Sequence, residues 1–299
     1  MSGSPPAPPL TADLAATPVQ DEAARQQSQW LSQERALPPG QVPGYEIERL
    51  LGEGSYGSVW LAHELKTGKR VAIKFYTRRR GLNWSLLSRE VEKLAMLYTS
   101  RNIVRLIDVG WHADPPYYVM EYLERGSLEV LLREGPLEAE ESVRIIQSVC
   151  QALVHAHGRG VLHCDLKPAN VLLDANMEPR LCDFGQSRLS NEQNPALGTL
   201  FYMAPEQADL SAVPDACWDV YALGALLYHL LVGRPPFRTP ASEETLRNVE
   251  RLDDRLAAYR RLVTTGPRPR EHWNVYGVDR QLAEIIDRCL RVDPNRRYA

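Results

Sequence analysis

The hydrophobic period of this chain changes near Gly126, and that change narrows the available folds more than any other feature. Ahead of it, Tyr45–Leu51, Ser58–His63, Arg70–Phe75, Ile103–Val109 and Tyr117–Tyr122 are short, strand-like runs. One interruption, Asn83–Leu97, carries Leu86, Leu87, Val91, Leu94 and Leu97 at helical spacing. After Gly126 the pattern is mainly helical. Glu138–His157 carries a stripe of Val143, Ile146, Val149, Leu153 and Val154, and Arg280–Leu290 is amphipathic. Asp215–Val232 is apolar on most faces, as a central buried helix would be, and Glu243–Val263 reads as one charged helix. Strands gathered in one half and helices in the other predict an α+β protein of two lobes: five strands and one helix, then a mainly helical lobe.

A chain of 299 residues with 44% hydrophobic and 24% charged content can bury a sizeable core. The net charge of −3 gives no basic field that would draw the whole molecule to nucleic acid. Arg78, Arg79 and Arg80 read as a solvated loop. Residues 1–42 are rich in Pro and Ala without a sustained apolar period, so a disordered segment is expected there. The N-terminus has no apolar core of a secretory signal, and the longest apolar run, Ala222–Val232, is too short for a membrane span. Five scattered cysteines (Cys150, Cys164, Cys182, Cys217, Cys289) without metal-ligand spacing predict reduced thiols and a cytoplasmic location.

Three motifs carry chemistry. Gly52-Glu53-Gly54-Ser55-Tyr56-Gly57-Ser58-Val59 is a glycine-rich turn whose backbone N–H groups can approach phosphates. A dinucleotide-binding turn of this spacing opens a helix. Here a strand-like run, Val59-Trp60-Leu61-Ala62, follows, which favours a β-hairpin cover. Next, Val71-Ala72-Ile73-Lys74 alternates so that Ala72 and Lys74 share a face. A lysine on a buried face needs an anion, and ATP phosphates or Glu90, midway along the predicted helix, could supply it. An exposed edge-strand lysine is the other reading. Third, His163-Cys164-Asp165-Leu166-Lys167-Pro168-Ala169-Asn170 is followed by Asp183-Phe184-Gly185. Phosphoryl transfer needs metal ligands, a group to take or orient the hydroxyl proton, and a cation near the γ-phosphate. Asp165, Asn170, Asp183 and Lys167 match those needs in type. Val171–Leu173 and Arg180–Cys182 read as a hairpin that returns Asp183 to Asn170.

With these motifs the chain resembles the eukaryotic-like serine/threonine protein kinases, of the bacterial sort, over about Tyr45–Ala299. The resemblance implies the bilobal kinase fold, with an N-lobe at 45–121, a hinge at 121–126 and a C-lobe at 127–299. It implies that Asp165 is the catalytic base, that Asn170 and Asp183 bind Mg²⁺ (Mn²⁺ can substitute), and that Lys74 pairs with Glu90. It implies purine walls of Leu51, Val59, Ala72 and Leu172, a gatekeeper at Met120, and adenine hydrogen bonds from the hinge Glu121-Tyr122-Leu123, with Gly52, Gly54 and Gly57 over the phosphates. Gly198-Thr199 and Tyr202-Met203-Ala204-Pro205-Glu206 resemble the end of an activation segment. Glu206 would pair with Arg297, Asp219 would brace the catalytic loop, and His163 and Phe184 would only pack. Lys167, with Thr199 in reach, is the serine/threonine signature. The implied partners are protein substrates.

The sequence departs from the family at Cys164, where an arginine normally anchors a phosphorylated activation-segment residue. Activity independent of that phosphorylation is therefore expected, although Ser187, Ser190 and Thr199 remain candidate sites. Cys164 and Cys182 read as buried, inert thiols. Ser127, where kinases selecting basic substrates often carry an acid, argues against strong arginine selection. The charged stretch 241–278 reads as a solvated surface, or as a docking surface. The family's last helix would begin just past Ala299, and a longer protein could anchor this domain to the cytoplasmic side of a membrane. Two other readings are a pseudokinase scaffold and a small-molecule phosphotransferase. Intact Lys74, Asp165, Asn170 and Asp183 count against the first, and the Gly198–Glu206 segment counts against the second.

Overall fold

Alternation in the first half builds one antiparallel sheet. The computed structural model describes residues 37–54, 57–76, 83–184 and 197–299, with residues 83–86 by backbone alone. The sheet comprises β1 (Tyr45–Gly54), β2 (Gly57–Glu64), β3 (Arg70–Tyr76), β4 (Leu106–Gly110) and β5 (Tyr117–Glu121), in the order β1-β2-β3-β5-β4. β3 is therefore interior, which removes the edge-strand reading of Lys74. Opposite residues in an antiparallel pair share a face. Val59 lies opposite Lys74, Lys74 opposite Tyr118, and Ala72 opposite Met120. Helix α1 (Asn83–Met96) buries Leu87, Val91 and Leu94.

The strand expected at Ile103–Val109 begins only at Leu106. Residues 102–104 pair with the helical lobe instead. Leu181 N–H donates to Asn102 O at 2.8 Å and Val104 N–H to Leu181 O at 3.0 Å, with a single parallel bridge between Ile103 and Leu181. That pairing stitches the lobes together behind α1.

The second lobe starts with β6 (Gly126–Ser127) and the single turn α2 (Leu128–Leu131), followed by α3 (Ala139–His157). β6 joins the hairpin of β7 (Val171–Leu173) and β8 (Pro179–Leu181) in a three-stranded sheet. After the short turn α4 (Leu197–Leu200), α5 (Ala216–Val232) forms the centre of the lobe. The Asp215 carboxylate caps its start by accepting from Cys217 N–H, and Gly233 ends it at φ +82°. Tyr221, Ala225, Leu226, Tyr228 and Leu230 are fully buried, as a helix apolar all round requires.

The single helix expected at Glu243–Val263 is two: α6 (Pro240–Arg247) and α7 (Leu252–Thr265). At about 100° per residue, an unbroken helix would turn Leu246 roughly 80° away from Leu256. The break lets Leu246 join Leu256, Tyr259 and Val263 in one buried cluster, and Arg255 fastens it by donating to Val249 O at 2.7 Å. Tyr259 OH donates to Met203 O, so this charged region buttresses the stretch around Met203. Helix α8 (Arg280–Cys289) packs on α5: a side chain at Gly224 would place Cβ 2.4 Å from that of Cys289. Among the described residues no helix is long and apolar enough to cross a membrane. The segments around Arg78–Arg80 and Ser187–Ser190, and residues 1–36 of the Pro- and Ala-rich stretch, lie outside the described residues.

Near the chain end, Arg297 is buried and donates to Glu206 through both terminal nitrogens, at 2.5 and 2.8 Å. It also reaches the carbonyls of Arg291, Val292 and Cys217. The bidentate fork needs a guanidinium, and its loss strands a half-buried carboxylate and three backbone carbonyls. Arg297→Ala should lose about 3 kcal/mol in urea unfolding. Arg297→Lys should recover only part of that; two variants as stable as the parent would contradict the account.

Candidate active site

The site forms where the two lobes face each other, and a buried lysine sits at its centre. Lys74 on β3 donates to Glu90 of α1, at 2.9 Å to Oε1 and 3.2 Å to Oε2, and to Asp183 Oδ1 at 2.7 Å. Burial pushes the Lys74 ammonium down, but the two carboxylates more than reverse this and hold it well above its ordinary value. Burial also pushes the Asp183 carboxyl up, yet Lys74 outweighs it and keeps Asp183 below the usual carboxylate range. For Glu90, burial wins and its affinity for a proton rises. Two carboxylates around one ammonium leave a surplus negative charge in the cleft.

Glu90 receives two donors that sequence reasoning did not name. Tyr118 OH donates to Oε1 at 2.8 Å, and Tyr76 OH donates to Oε2. A signal existed for Tyr76, which lies two residues beyond Lys74 on the same strand face. Tyr118 needed the β3–β5 register. Lys93 was also missed: from α1 it donates to Phe184 O at 2.6 Å. Its ammonium is pushed down chiefly by burial, while the Cys164, Glu90 and Asp219 side chains oppose that.

The second group lies on the loop ahead of β7. Lys167 Nζ donates to Asp165 Oδ2 at 2.8 Å and to Thr199 Oγ1 at 3.4 Å. Asn170 Nδ2 donates to Asp165 O at 2.7 Å and to Asp165 Oδ2 at 3.0 Å. The Asn170 amide nitrogen is thus committed inward, which leaves its carbonyl oxygen for the cleft. Cys182 N–H donates to Asn170 O at 3.0 Å, so the hairpin sets Asp183 beside Asn170. His163 hydrogen-bonds Cys182 O at 2.9 Å and packs on the Phe184 ring, 4.8 Å between centroids.

The loop is held by Asp219 on α5. Its carboxylate accepts from His163 N–H at 2.9 Å, from Cys164 N–H at 2.7 Å and from His157 Nε2 at 2.8 Å. Cys164 and Asp183 both have left-handed backbone, φ +62° and +61°, which non-glycine residues hold only under constraint. Asp219 supplies that constraint at Cys164, and Gln207 Nε2 adds a bond to Cys164 O at 2.8 Å. The Cys164 thiol is pushed up to about 12, mainly by burial, and burial also raises the Cys182 thiol well above its ordinary value. Both are therefore protonated, unreactive thiols.

The remaining expected residues surround the cleft. Ala72, Met120 and Leu123 are buried, while Leu51, Val59 and Leu172 are half-buried on the apolar cluster. Glu121 is tied to Arg105 by a side-chain bond at 2.8 Å and a backbone bond at 3.0 Å. In the glycine-rich turn, Cβ atoms at Gly52 and Gly54 would meet nothing within 4 Å, whereas one at Gly57 would fall 1.8 Å from Phe75 O. Gly57 thus closes the β2 end and the other two leave room above the cleft. Among the described residues no three His, Cys, Asp or Glu side chains cluster as a ready metal cage. Asn170 and Asp183 offer hard oxygen donors, which suit a magnesium ion completed by phosphate oxygens and water.

Burial raises the Asp219 carboxyl, but the His157 bond, the His163 ring and the two N–H donors bring it below its ordinary 3.8. Its stabilising effect is full above that value and is lost as pH falls through the lower folded one. Asp219→Asn should cost about 2–4 kcal/mol near neutrality in thermal unfolding. The gap to the parent should shrink below about pH 4; a gap constant with pH would refute the charge as its source.

The protein kinase domain family matches residues 45–299. The chain is 32% identical over 261 residues to an Aurora kinase of Yarrowia lipolytica, covering 85% of this chain and 65% of that protein. It is 36% identical over 219 residues to Aurora kinase C of Mus musculus, covering 71% of this chain and 78% of the relative. To the serine/threonine-protein kinase PknB of Mycobacterium leprae it is 36% identical over 222 residues, covering 67% and 34%. Against several of these relatives the chain spans only about half of their length, as with the 53% covered of a CBL-interacting kinase of Arabidopsis thaliana. The chain belongs to the protein kinase family, as a catalytic domain of the eukaryotic-like serine/threonine type.

Proposed function

We propose that this domain transfers the γ-phosphoryl group of ATP to serine or threonine hydroxyls of proteins, with the residues gathered in the cleft as its machinery. One observation carries this reading: Lys74 pairs with Glu90 at 2.9 Å, the ion pair kinase catalysis requires, and the same ammonium holds Asp183 at 2.7 Å beside it. Lys74 holds the α- and β-phosphates, and Glu90 keeps it aimed. The backbone of Gly52, Gly54 and Gly57 covers the phosphates. Leu51, Val59, Ala72 and Leu172 enclose the purine, with Met120 behind it and Glu121 and Leu123 presenting backbone groups. The Asn170 side-chain oxygen Oδ1 and the Asp183 carboxylate would hold Mg²⁺, which would neutralise phosphate charge when bound; Mn²⁺ has the same donor preference.

Asp165 orients the acceptor hydroxyl and takes its proton. The hydroxyl oxygen bonds to the γ-phosphorus, the bond to the bridging oxygen of ADP breaks, and ADP carries away that electron pair. Lys167, paired with Asp165 and within reach of Thr199, places positive charge beside the transferring group. The shelf at Thr199–Glu206, supported by Arg297 and Tyr259, receives the substrate polypeptide. A cytoplasmic setting fits the ATP requirement and the free thiols.

The assay is label transfer from γ-labelled ATP to a generic acceptor protein with Mg²⁺. Lys74→Ala and Asp165→Asn should each lower the rate by several powers of ten, because positioning and charge carry nearly all of this catalysis. Label retained in both variants, or found off serine and threonine, would overturn the reading. Cys164 lies where an arginine would grip an activation-segment phosphate, and a neutral thiol cannot make that pair. Phosphatase-treated enzyme should therefore keep its rate within about threefold, far less than the loss expected when a charge-assisted pair is needed. Loss of activity on dephosphorylation, restored by autophosphorylation, would refute the independence.

A further inference from the structure

Among the described residues the Glu90 carboxylate accepts four hydrogen bonds, and only two come from Lys74. Each oxygen takes one ammonium bond and one phenol: Lys74 and Tyr118 at Oε1, Lys74 and Tyr76 at Oε2. Tyr76 and Tyr118 are each 1% exposed and Glu90 is 4% exposed, so water cannot replace these bonds. The Lys74 ammonium lies 5.5 and 5.8 Å from the two phenol ring centroids, which themselves are 6.3 Å apart. The two rings therefore wall the ion pair as well as donating to it. All three donors leave one face of the sheet, because Tyr76 lies two residues after Lys74 and Tyr118 is directly opposite it.

From this geometry we propose that Tyr76 and Tyr118 are positioning residues which, through Glu90, lock helix α1 against the sheet and keep Lys74 aimed without help from a phosphorylated activation segment. A buried ion pair alone compensates its lost hydration poorly, and satisfying the remaining lone pairs turns it into a stable joint. Swinging α1 outward would break four bonds instead of two and would leave two buried phenols without acceptors. Each phenol bond to a charged acceptor shifts the balance toward the docked helix by about tenfold to a hundredfold. The catalytic consequence rests on the kinase reading above; the lock itself does not.

The experiment compares the parent with Tyr76→Phe, Tyr118→Phe and the double variant, each alone and combined with Glu90→Leu. Phe keeps the rings and removes only the hydroxyls. Two readouts are taken on phosphatase-treated protein: hydrogen exchange of the α1 amides, and kcat and KM for ATP in label transfer. In the double variant α1 amides should exchange at least about tenfold faster and kcat/KM should fall at least about tenfold. In the Glu90→Leu background, which has no acceptor at this position, the same substitutions should bring no further loss in either readout, since phenols acting through Glu90 have nothing left to hold. A packing role would instead cost the same in both backgrounds. Unchanged α1 exchange in the double variant, or equal effects in the two backgrounds, overturns the proposal. If the parent transfers no phosphate, the kinase reading fails, and the exchange cycle still decides whether the phenols hold α1.

Discussion

The site depends on the placement of one ammonium group. Lys74 comes from an interior strand, Glu90 from a helix and Asp183 from the end of a hairpin in the other lobe, and all three meet within hydrogen-bond distance. No local propensity brings them together. An unpaired buried lysine would shed its proton or stay out of the core, so each of the three elements can settle only where the other two supply its counter-charge. The arrangement leaves one negative charge uncompensated. A cleft with that surplus and two oxygen-donor side chains at its floor is suited to receive a divalent cation together with phosphates, whose own charge Lys74 then shares.

A second constraint sets the opposite wall. Asp219 is fully buried at the start of the most apolar helix in the molecule, a costly place for a carboxylate. It remains charged because three donors converge on it, two of them backbone N–H groups of the loop that carries Asp165. Those bonds hold Cys164 at a positive φ and thereby set the direction in which the chain leaves toward Asp165, Lys167 and Asn170. The Asn170 backbone carbonyl then receives Cys182 N–H, so the loop braced by α5 also fixes the residue before Asp183. The two walls are thus one structure, joined through backbone bonds that no side-chain motif reveals.

This distribution explains what was legible in the sequence. Short strand-like runs identified the five strands, helical apolar stripes identified α1, α3 and α8, and near-continuous apolarity identified α5. The glycine-rich turn, Lys74, Asp165 to Asn170 and Asp183 stood out by residue type, and the fold brings Lys74 to Asp183 and Asp165 to Asn170. Failures came where tertiary pairing overrode local pattern. Residues 102–104 look like strand and are strand-like, but they pair with Leu181 across the lobes. Glu243–Val263 has helical composition throughout, yet the angular mismatch between Leu246 and Leu256 forces a break. Tyr76, Tyr118 and Lys93 passed as ordinary core or surface residues, since what makes them part of the site is the acceptor each one reaches, and those acceptors are distant in sequence.

The same contacts bear on how a kinase domain can lack the arginine at position 164. A regulated domain needs two helix positions within a few kcal/mol of each other, so that one phosphate can tip the balance. Here α1 is held from the sheet by two phenols and from below by Lys93, whose ammonium reaches Phe184 O beside Cys164. Lys93 brings a positive charge to the neighbourhood where the arginine's would otherwise stand, but it comes from the helix that must be held and not from the loop that reads the phosphate. Each such bond is internal to the fold and present in the unmodified chain. In the lock proposed above, their sum moves the equilibrium toward the docked helix and leaves less for a phosphate to add.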